Sequence, residues 1–135
     1  MADDRERLEL DEGQWRARLS PTQFLVLREK GTDPPFTGEF THPGAAGTFR
    51  CAGCGAPLFE SSTQFDSGSG WPSFTAPLDA ARVELHEDRS HGMVRTEVTC
   101  ARCGGHLGHV FDDGPGPAGQ RWCVNSTSLE LDEAG

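Results

Sequence analysis

The stretch that decides the fold is residues 95–111, RTEVTCARCGGHLGHVF. It contains two short runs with a hydrophobic period near two, separated by a pair of cysteines. That period is typical of β-strands with one buried face. The cysteines are two residues apart and are followed by glycine, which adopts the backbone angles that a sharp turn around a bound partner requires. The stretch therefore predicts a β-hairpin whose turn carries two thiols.

A second copy of this turn lies earlier in the chain, where residues 51–54 read CAGC against CARC at 100–103. Four thiolates are the ligands of a closed, tetrahedral zinc site, so we predict one zinc ion that clamps two distant hairpins together. The predicted ligands are Cys51, Cys54, Cys100 and Cys103. Such an ion has no open position for water and would only hold the fold. Two dithiol redox motifs, an iron site and four plain buried cysteines are the alternatives.

The remaining pattern predicts two short helices followed by a β body. DEGQWRARL has a capping box formed by Asp11 and Gln14, and SPTQFLVLREKG has one formed by Ser20 and Gln23,. We predict that the second helix ends at Gly31. After this point the hydrophobic period changes from about 3.6 to about 2, in short runs separated by Gly, Pro, Asp and Ser. The fold class is therefore mainly β, with an antiparallel body and short N-terminal helices.

Length and charge limit the function classes. The 135 residues predict a single domain over residues 1–135, with residues 1–10 as a flexible tail,. A formal net charge of -9 repels phosphate backbones, so we expect no nucleic-acid partner,. We expect no membrane association and a cytoplasmic location, because we find neither a secretory signal nor a run apolar enough to span a bilayer. Thiols are held reduced there, which favours metal or redox chemistry over structural disulfides. We also expect a monomer.

The fifth cysteine, Cys123, stands in the run RWCVNSTSLEL of residues 121–131. Alternate residues of a strand share a face, so Arg121 and Asn125 are expected on the same side as the thiol. The thiolate is the nucleophilic form of cysteine, and a nearby cation favours it by lowering the thiol pKa. The sequence therefore predicts a candidate nucleophile at Cys123.

Two further motifs carry residues suited to the same site. In GGHLGHVF, His106 and His109 would face opposite sides of a regular strand, but Gly108 between them permits a bulge that turns both toward one site,. Histidine is the side chain best suited to proton transfer near neutral pH. In GSGWPSF, Trp71 is constrained between glycine and proline and can form the wall of an apolar pocket,.

Each candidate also has an ordinary structural explanation. A lone cysteine is most often a small buried hydrophobe, and a tryptophan such as Trp71 is commonly core. The histidines could form a metal pair or lie on the surface, and Asn125 could bond a neighbouring turn. Two rival function classes stay open on the residues alone. Cys123, His109 and Asn125 are the residue types of a Cys-His-Asn hydrolase, and a non-catalytic zinc-stabilised module could bind a ligand through Trp71.

Taken together and in order, several motifs resemble those of the methionine-R-sulfoxide reductases, the B-type family that repairs oxidised methionine. The motifs extend from about Trp15 to Leu131 and are GTDPPFTGEF, CAGCGAPLF, FDSGSGWPSF, DRSHGMVRTEVTCARCGGHLGHVFDDG and RWCVNSTSLEL. The resemblance implies two antiparallel sheets arranged as a tent, with the helices packed outside and zinc away from the catalytic cleft. It also implies an oxidoreductase of protein repair in the response to oxidative stress.

The resemblance implies a role for each matching residue around the sulfoxide. Cys123 is the expected nucleophile, while His106, His109 and Asn125 are expected to form a hydrogen-bonding group around the sulfoxide oxygen. The expected substrate is methionine-R-sulfoxide, free or in oxidised proteins. Its reduction would leave Cys123 as a sulfenic acid.

The resemblance also implies an apolar pocket and a way to regenerate the thiol. Trp71 is expected to receive the methyl group, Phe111 to add to the apolar pocket and Arg121 to support the thiolate. Many members of the family have a second redox cysteine two positions before the tryptophan, where this chain has Ser69. With the other four cysteines assigned to zinc, we predict a single-cysteine cycle. In that cycle thioredoxin or a small thiol attacks oxidised Cys123 directly.

Overall fold

The structure is a computed structural model that describes residues 7–133. Residues 1–6 of the predicted tail lie outside this range. Leu8, which belongs to the same predicted tail, donates a backbone hydrogen bond to the Arg102 carbonyl at 2.7 Å. The helices and strands are α1 (Glu12–Arg18), α2 (Pro21–Glu29), β1 (Gly47–Cys51), β2 (Pro57–Glu60), β3 (Gln64–Phe65), β4 (Ser73–Phe74), β5 (Val83–Asp88), β6 (Arg95–Cys100), β7 (His106–Phe111), β8 (Arg121–Val124) and β9 (Leu129–Glu133).

Both helices begin where the sequence predicts, and each has the predicted capping box. At α1 the Asp11 side chain accepts a hydrogen bond from the Gln14 N–H, and the Gln14 side chain accepts one from the Asp11 N–H. Ser20 and Gln23 form the same reciprocal pair at α2. Each box satisfies two N–H groups that have no partner within the helix.

The end of α2 differs from the prediction by one position. The helix ends at Glu29, and Lys30 rather than Gly31 adopts the left-handed conformation, with φ of 59°. Gly31 then donates its N–H to the Leu25 carbonyl at 2.9 Å. A Cβ at Gly31 would lie 3.0 Å from that carbonyl oxygen, a close contact that a glycine avoids. Within residues 7–133 no helix has the length and hydropathy needed to cross a bilayer.

The strands form two antiparallel sheets, which confirms the predicted fold class. One sheet has the order β2-β1-β9 and the other has the order β3-β4-β8-β7-β6-β5. The first cysteine turn connects β1 to β2, and the second connects β6 to β7. Because these hairpins belong to different sheets, a cluster formed by the two turns joins one sheet to the other.

The core lies between the two sheets, and several aromatic rings pack against one another in it. Phe59 of β2 stacks on Phe74 of β4 with ring centroids 4.4 Å apart, and Phe49 of β1 meets the same ring edge-on at 5.3 Å. Trp122 of β8 approaches Phe59 at 6.4 Å. Since Trp122 points into this core, its strand neighbours on either side face the opposite surface of the sheet. The core thereby directs Cys123 outward, as predicted.

Strand β7 contains the predicted bulge, with Leu107 as the additional residue. Thr99 of β6 pairs with His106, while its neighbour Val98 pairs with Gly108. The extra residue brings both imidazoles to the same side, with ring centroids 5.6 Å apart. Gly108 has a different role from the predicted one. A Cβ at this position would overlap the carbonyl oxygen of Cys123 on β8, so the glycine permits close approach of the two strands.

Candidate active site

Cys123 lies at the centre of the larger sheet and opens into a cavity. It pairs with Ser73 of β4 on one side and with His109 of β7 on the other. The thiol is partly exposed, and the cavity beside it has a volume of about 130 Å³. A cavity of roughly 150 Å³ holds a benzene molecule, so this one is large enough for a methylsulfinyl group. The cavity is lined by Thr32, Trp71, Arg95, Gly108, His109, Phe111, Arg121, Cys123, Val124 and Asn125.

The environment of Cys123 contains opposing influences on its pKa. Burial raises the pKa of the thiol, whereas the charge of Arg121 and a hydrogen bond from Ser69 lower it, and the net direction is upward. Arg121 is itself bound to Asp113, with Nε 2.9 Å from Oδ1, and its guanidinium lies 4.5 Å from the centre of the Phe111 ring. The cation is therefore held beside the sulfur, as predicted, but burial outweighs its effect in the free protein.

His109 is oriented by a carboxylate that the sequence did not identify. Its Nε2 lies 2.7 Å from Oδ2 of Asp88, a buried residue at the end of β5. The hydrogen bond from His109 and the Ser90 amide hold the pKa of Asp88 well below its usual range. An ionised carboxylate only accepts hydrogen bonds, so Nε2 carries a proton in this pair. The other nitrogen, Nδ1, is then protonated only in the imidazolium form.

His106 lies beside His109 but is not among the residues that line the cavity. The side chain is 3% exposed, and its Nδ1 lies 2.8 Å from Oε2 of Glu97. Burial lowers the pKa of His106, and the Glu97 carboxylate opposes that change. The second oxygen of Glu97 lies 3.2 Å from Nζ of Lys30. His106 is thus a buried neighbour of His109 with its own carboxylate partner.

Asn125 follows β8 and reaches the cavity with its amide orientation fixed on both sides. Its Nδ2 donates to the Leu107 carbonyl at 3.1 Å, and its Oδ1 accepts the Asp33 N–H at 2.9 Å. An amide NH₂ has two hydrogens, so one donor is still available for a ligand. His109 is bound to Asp88 and Asn125 to Leu107 and Asp33. The two side chains therefore do not have the pairing of a Cys-His-Asn triad.

Trp71 forms the apolar wall of the cavity. Its indole Nε1 donates a hydrogen bond to the Asp33 carbonyl at 2.8 Å, which holds the ring at a fixed angle. Phe111 and Arg121 line the same cavity. The structure therefore brings Trp71, Phe111, Arg121 and His109 together around Cys123.

The other four cysteines form a separate, buried cluster. Sγ of Cys51 lies 3.7 Å from that of Cys103, and Sγ of Cys54 lies 3.6 Å from that of Cys100. All four sulfurs lie within 4.8 Å of one another. Tetrahedral zinc with Zn–S bonds of about 2.3 Å separates its sulfurs by about 3.8 Å, so the cluster fits this ion.

The thiols of the cluster also interact in a way that a divalent cation would relieve. Hydrogen bonds among the four sulfurs lower the pKa of Cys54 and of Cys103, and they raise the pKa of Cys51 and of Cys100. In the hydrogen bonds between Cys51 and Cys103 and between Cys54 and Cys100, either sulfur can be the donor. Zinc ligation requires all four as thiolates, and the ion then supplies the positive charge that permits this.

Sequence reasoning missed the partners that orient the site. Asp88, Glu97 and Asp33 are buried acidic residues, and their partners His109, His106 and Asn125 lie 21, 9 and 92 positions away along the chain. The pairing of β5 with β6, and of β6 with β7, places Asp88 and Glu97 near the histidines. No local pattern in the sequence carries that information. Asp33 lies within the motif GTDPPFTGEF, which was identified by resemblance but had no assigned role.

Comparisons with known proteins show what the whole chain is similar to. The SelR domain matches residues 19–133 of the chain. The chain is 61% identical over 121 residues to peptide methionine sulfoxide reductase MsrB of Bradyrhizobium diazoefficiens, covering 90% of this chain and 87% of that protein. It is 59% identical over 120 residues to the protein of the same name from Thiobacillus denitrificans, covering 89% and 91%. A third, from Methanosarcina mazei, is 53% identical over 123 residues, covering 91% and 88%.

Proposed function

Because this chain belongs to the SelR-domain family of peptide methionine sulfoxide reductases, we propose that it reduces the R epimer of methionine sulfoxide through a sulfenic acid on Cys123. The chain is a methionine sulfoxide reductase. The observation that carries the mechanism is the position of Cys123 in a cavity shared with Trp71 and His109. None of the other four cysteines lines that cavity.

The first step transfers the sulfoxide oxygen to Cys123. The thiolate attacks the substrate sulfur while the sulfoxide oxygen takes up a proton, so that an S–S bond joins Cys123 to the substrate. The hydroxyl then moves to the Cys123 sulfur: a new S–O bond forms there while the substrate S–O bond and the S–S bond both break. Methionine is released, its sulfur reduced by two electrons, and Cys123 becomes a sulfenic acid, oxidised by two electrons. A sulfoxide is a weak electrophile until its oxygen is hydrogen-bonded or protonated. The site must therefore direct donors at that oxygen.

His109 and Asn125 are suited to that task. The imidazolium form of His109 has a proton on Nδ1 while Asp88 holds Nε2, so it can act as the acid without losing its orientation,. Asn125 has one amide hydrogen free of its two protein partners. In this proposal His106 acts behind His109, where it is held by Glu97 and contacts the His109 ring.

Selectivity for one epimer follows from three fixed points around the substrate sulfur. The methyl group lies against Trp71, the oxygen lies toward His109 and Asn125, and sulfur faces Cys123. Exchanging oxygen and the lone pair on a chiral sulfur would move the oxygen away from its donors. The site should therefore accept one epimer and exclude the other. The resemblance to the methionine-R-sulfoxide reductases makes the R epimer the expected substrate, free or in oxidised proteins.

Regeneration needs two external thiols in this proposal. The first, from thioredoxin or a small thiol, attacks the sulfenic acid to form a mixed disulfide and water, and the second releases reduced Cys123 with an external disulfide. Ser69 occupies the nearby position from which a second cysteine could act, and a hydroxyl cannot form a disulfide. This requirement for a pool of reduced thiols is consistent with the proposed cytoplasmic location.

Zinc is proposed as the structural ion of the four-cysteine cluster. Cys51 and Cys54 would hold it from the β1–β2 hairpin, and Cys100 and Cys103 from the β6–β7 hairpin. The ion would supply the charge that keeps four thiolates together in a dry environment. With four sulfur ligands it would link the two sheets and leave the chemistry to Cys123.

The test offers a mixture of R and S methionine sulfoxide, with dithiothreitol, to the protein. Chiral chromatography monitors the two epimers. We expect the R epimer alone to disappear, with one methionine formed for each sulfoxide consumed. A parallel single turnover without reductant should add one oxygen to Cys123, detected by dimedone trapping and mass spectrometry. Loss of the S epimer, or an internal disulfide involving Cys123, would contradict the proposed stereochemistry or the proposed cycle respectively.

A further inference from the structure

A loop between α2 and β1 crosses one side of the cavity. Residues 32–40, called the strap below, belong to the motif GTDPPFTGEF, and the strap residue Thr32 lines the cavity. Two hydrogen bonds join the strap to the loop that carries Trp71. The indole Nε1 donates to the Asp33 carbonyl at 2.8 Å, and the Phe36 N–H donates to the Gly70 carbonyl at 2.8 Å. One wall of the cavity is thus fastened to the strap.

The strap is also fastened to the opposite wall, and again through Asp33. The Asp33 N–H donates to Oδ1 of Asn125 at 2.9 Å. Its carboxylate accepts from the Thr127 hydroxyl at 2.6 Å and from the Thr127 N–H at 3.0 Å. Nearby, the Phe40 N–H donates to the Ser126 hydroxyl at 3.1 Å. A single residue therefore bonds both to Trp71 and to Asn125.

We infer that Asp33 is a positioning residue that fixes the spacing between Trp71 and Asn125 across the cavity, and thereby the epimer that the site accepts. The inference rests on the proposed function, because it assigns the methyl group to Trp71 and the oxygen to Asn125. Asp33 itself is not among the residues that line the cavity. It acts through the two side chains that it holds.

The side chain of Asp33 is what keeps its backbone groups in place. Asp33 is 7% exposed, and a buried carboxylate is stable only when donors satisfy its oxygens,. Thr127 supplies a donor to each oxygen, and Thr127 lies two residues after Asn125. Without these two hydrogen bonds from Thr127, the Asp33 N–H and carbonyl can shift relative to β8. A displacement of about 1 Å at a reacting group reduces catalysis by roughly 100-fold.

The experiment compares Asp33→Asn and Thr127→Val with Thr127→Ser, which keeps the hydroxyl. For the first two we expect kcat/KM on the R epimer to fall by about 10-fold to 100-fold and the ratio of R to S turnover to fall with it. Thr127→Ser should retain kcat/KM within about threefold. The control is Asp11→Asn, because Asp11 also accepts a backbone N–H but caps α1, away from the cavity. This control should leave both quantities unchanged.

A second measurement does not depend on turnover. The indole N–H signal of Trp71, assigned with Trp71→Phe, should exchange with solvent at least about tenfold faster in Asp33→Asn than in wild type or Asp11→Asn. If wild type reduces neither epimer, the proposed function fails, and indole exchange alone then decides whether Asp33 positions Trp71. The inference is overturned if Asp33→Asn retains wild-type kcat/KM and epimer ratio, or if its indole exchange is unchanged.

Discussion

Cys100 and Cys123 lie in the same six-stranded sheet, yet their surroundings differ. Cys100, at the end of β6, is 0% exposed and has three other sulfurs as neighbours. Cys123, on β8, has a cavity, a guanidinium and a hydroxyl beside it. The hydrogen bond with Cys103 is the largest cause that raises the pKa of Cys100, with burial a smaller one, whereas burial is the largest cause that raises the pKa of Cys123. Neighbours and access to a cavity therefore distinguish a ligand from a nucleophile: four buried sulfurs can share one cation, whereas a single sulfur that opens into a cavity is free to react.

The largest expected effect is at Cys123, where a substitution should abolish turnover and leave stability nearly unchanged. Cys123→Ser should lower turnover of methionine sulfoxide by at least about 10⁴-fold, because a hydroxyl cannot form the sulfenic acid. Its free energy of unfolding should stay within about 1 kcal/mol of wild type, since the change is nearly isosteric and borders a cavity. The measurements are methionine formation with dithiothreitol and urea unfolding. A Cys123→Ser variant that still turns over would remove Cys123 from the mechanism.

The same substitution in the cluster should have the opposite outcome. Cys100→Ser removes one of four sulfur ligands, so bound zinc should fall well below one per chain. The free energy of unfolding should fall by about 5 kcal/mol or more, because zinc binding contributes directly to folding. Metal content by atomic emission and urea unfolding measure the two quantities. A variant that keeps its stability would show that the two hairpins are held together without the ion.

The two regions also differed in how far the sequence could predict them. Each half of the cysteine cluster comes from one short turn, and the capping boxes of Asp11 and Ser20 also join residues close together in the sequence. The cluster and the capping boxes were therefore predicted correctly. Asp88 was not predicted, because it reaches His109 only through the pairing of β5, β6 and β7. Asp33 bonds to Asn125 from 92 positions away. Such contacts depend on tertiary packing, which no local spacing encodes.

The net direction of the Cys123 pKa was also beyond sequence reasoning. The sequence predicts a cation near the thiol, and Arg121 is indeed there. It does not predict how deeply the sulfur is buried or that Asp113 shares the guanidinium. Similarly, the pattern predicts a bulge near Gly108, but the reason for glycine is the carbonyl of Cys123 on the next strand. The direction of the Cys123 pKa and the role of Gly108 both depend on contacts that form only when the chain folds.

Glycines in the two regions give the next comparison. Gly108→Ala would force a Cβ against the Cys123 carbonyl, so β7 and β8 must separate at the nucleophile. We expect kcat/KM to fall by roughly 100-fold and unfolding free energy by about 1–3 kcal/mol. Gly53→Ala, in the first cysteine turn, meets its nearest atoms at 3.4 Å or more, an ordinary contact. It should leave kcat/KM within about twofold, and equal losses in both variants would contradict the comparison.

The smallest expected effect concerns the thiol pKa. Burial raises the pKa of Cys123, so the thiolate fraction, and with it the rate of alkylation by iodoacetamide, should keep rising from pH 7 to 9 without reaching a plateau,. Arg121 lowers the same pKa, and Arg121→Gln should therefore raise it further. At pH 8 the alkylation rate of the variant should be about threefold to tenfold below wild type. Mass spectrometry of the Cys123 peptide measures this rate.

Arg16→Gln is the matched control for that experiment. Like Arg121, Arg16 lies over a phenylalanine ring, at 4.1 Å from Phe24, and is paired with a carboxylate, that of Glu12. It lies on α1 and so should leave the alkylation rate of Cys123 unchanged. Above the thiol pKa, where the thiolate dominates in every variant, all three rates should converge. If Arg121→Gln stays slower there too, the guanidinium acts on access to the sulfur rather than on its ionisation, and the electrostatic contrast with the cysteine cluster fails.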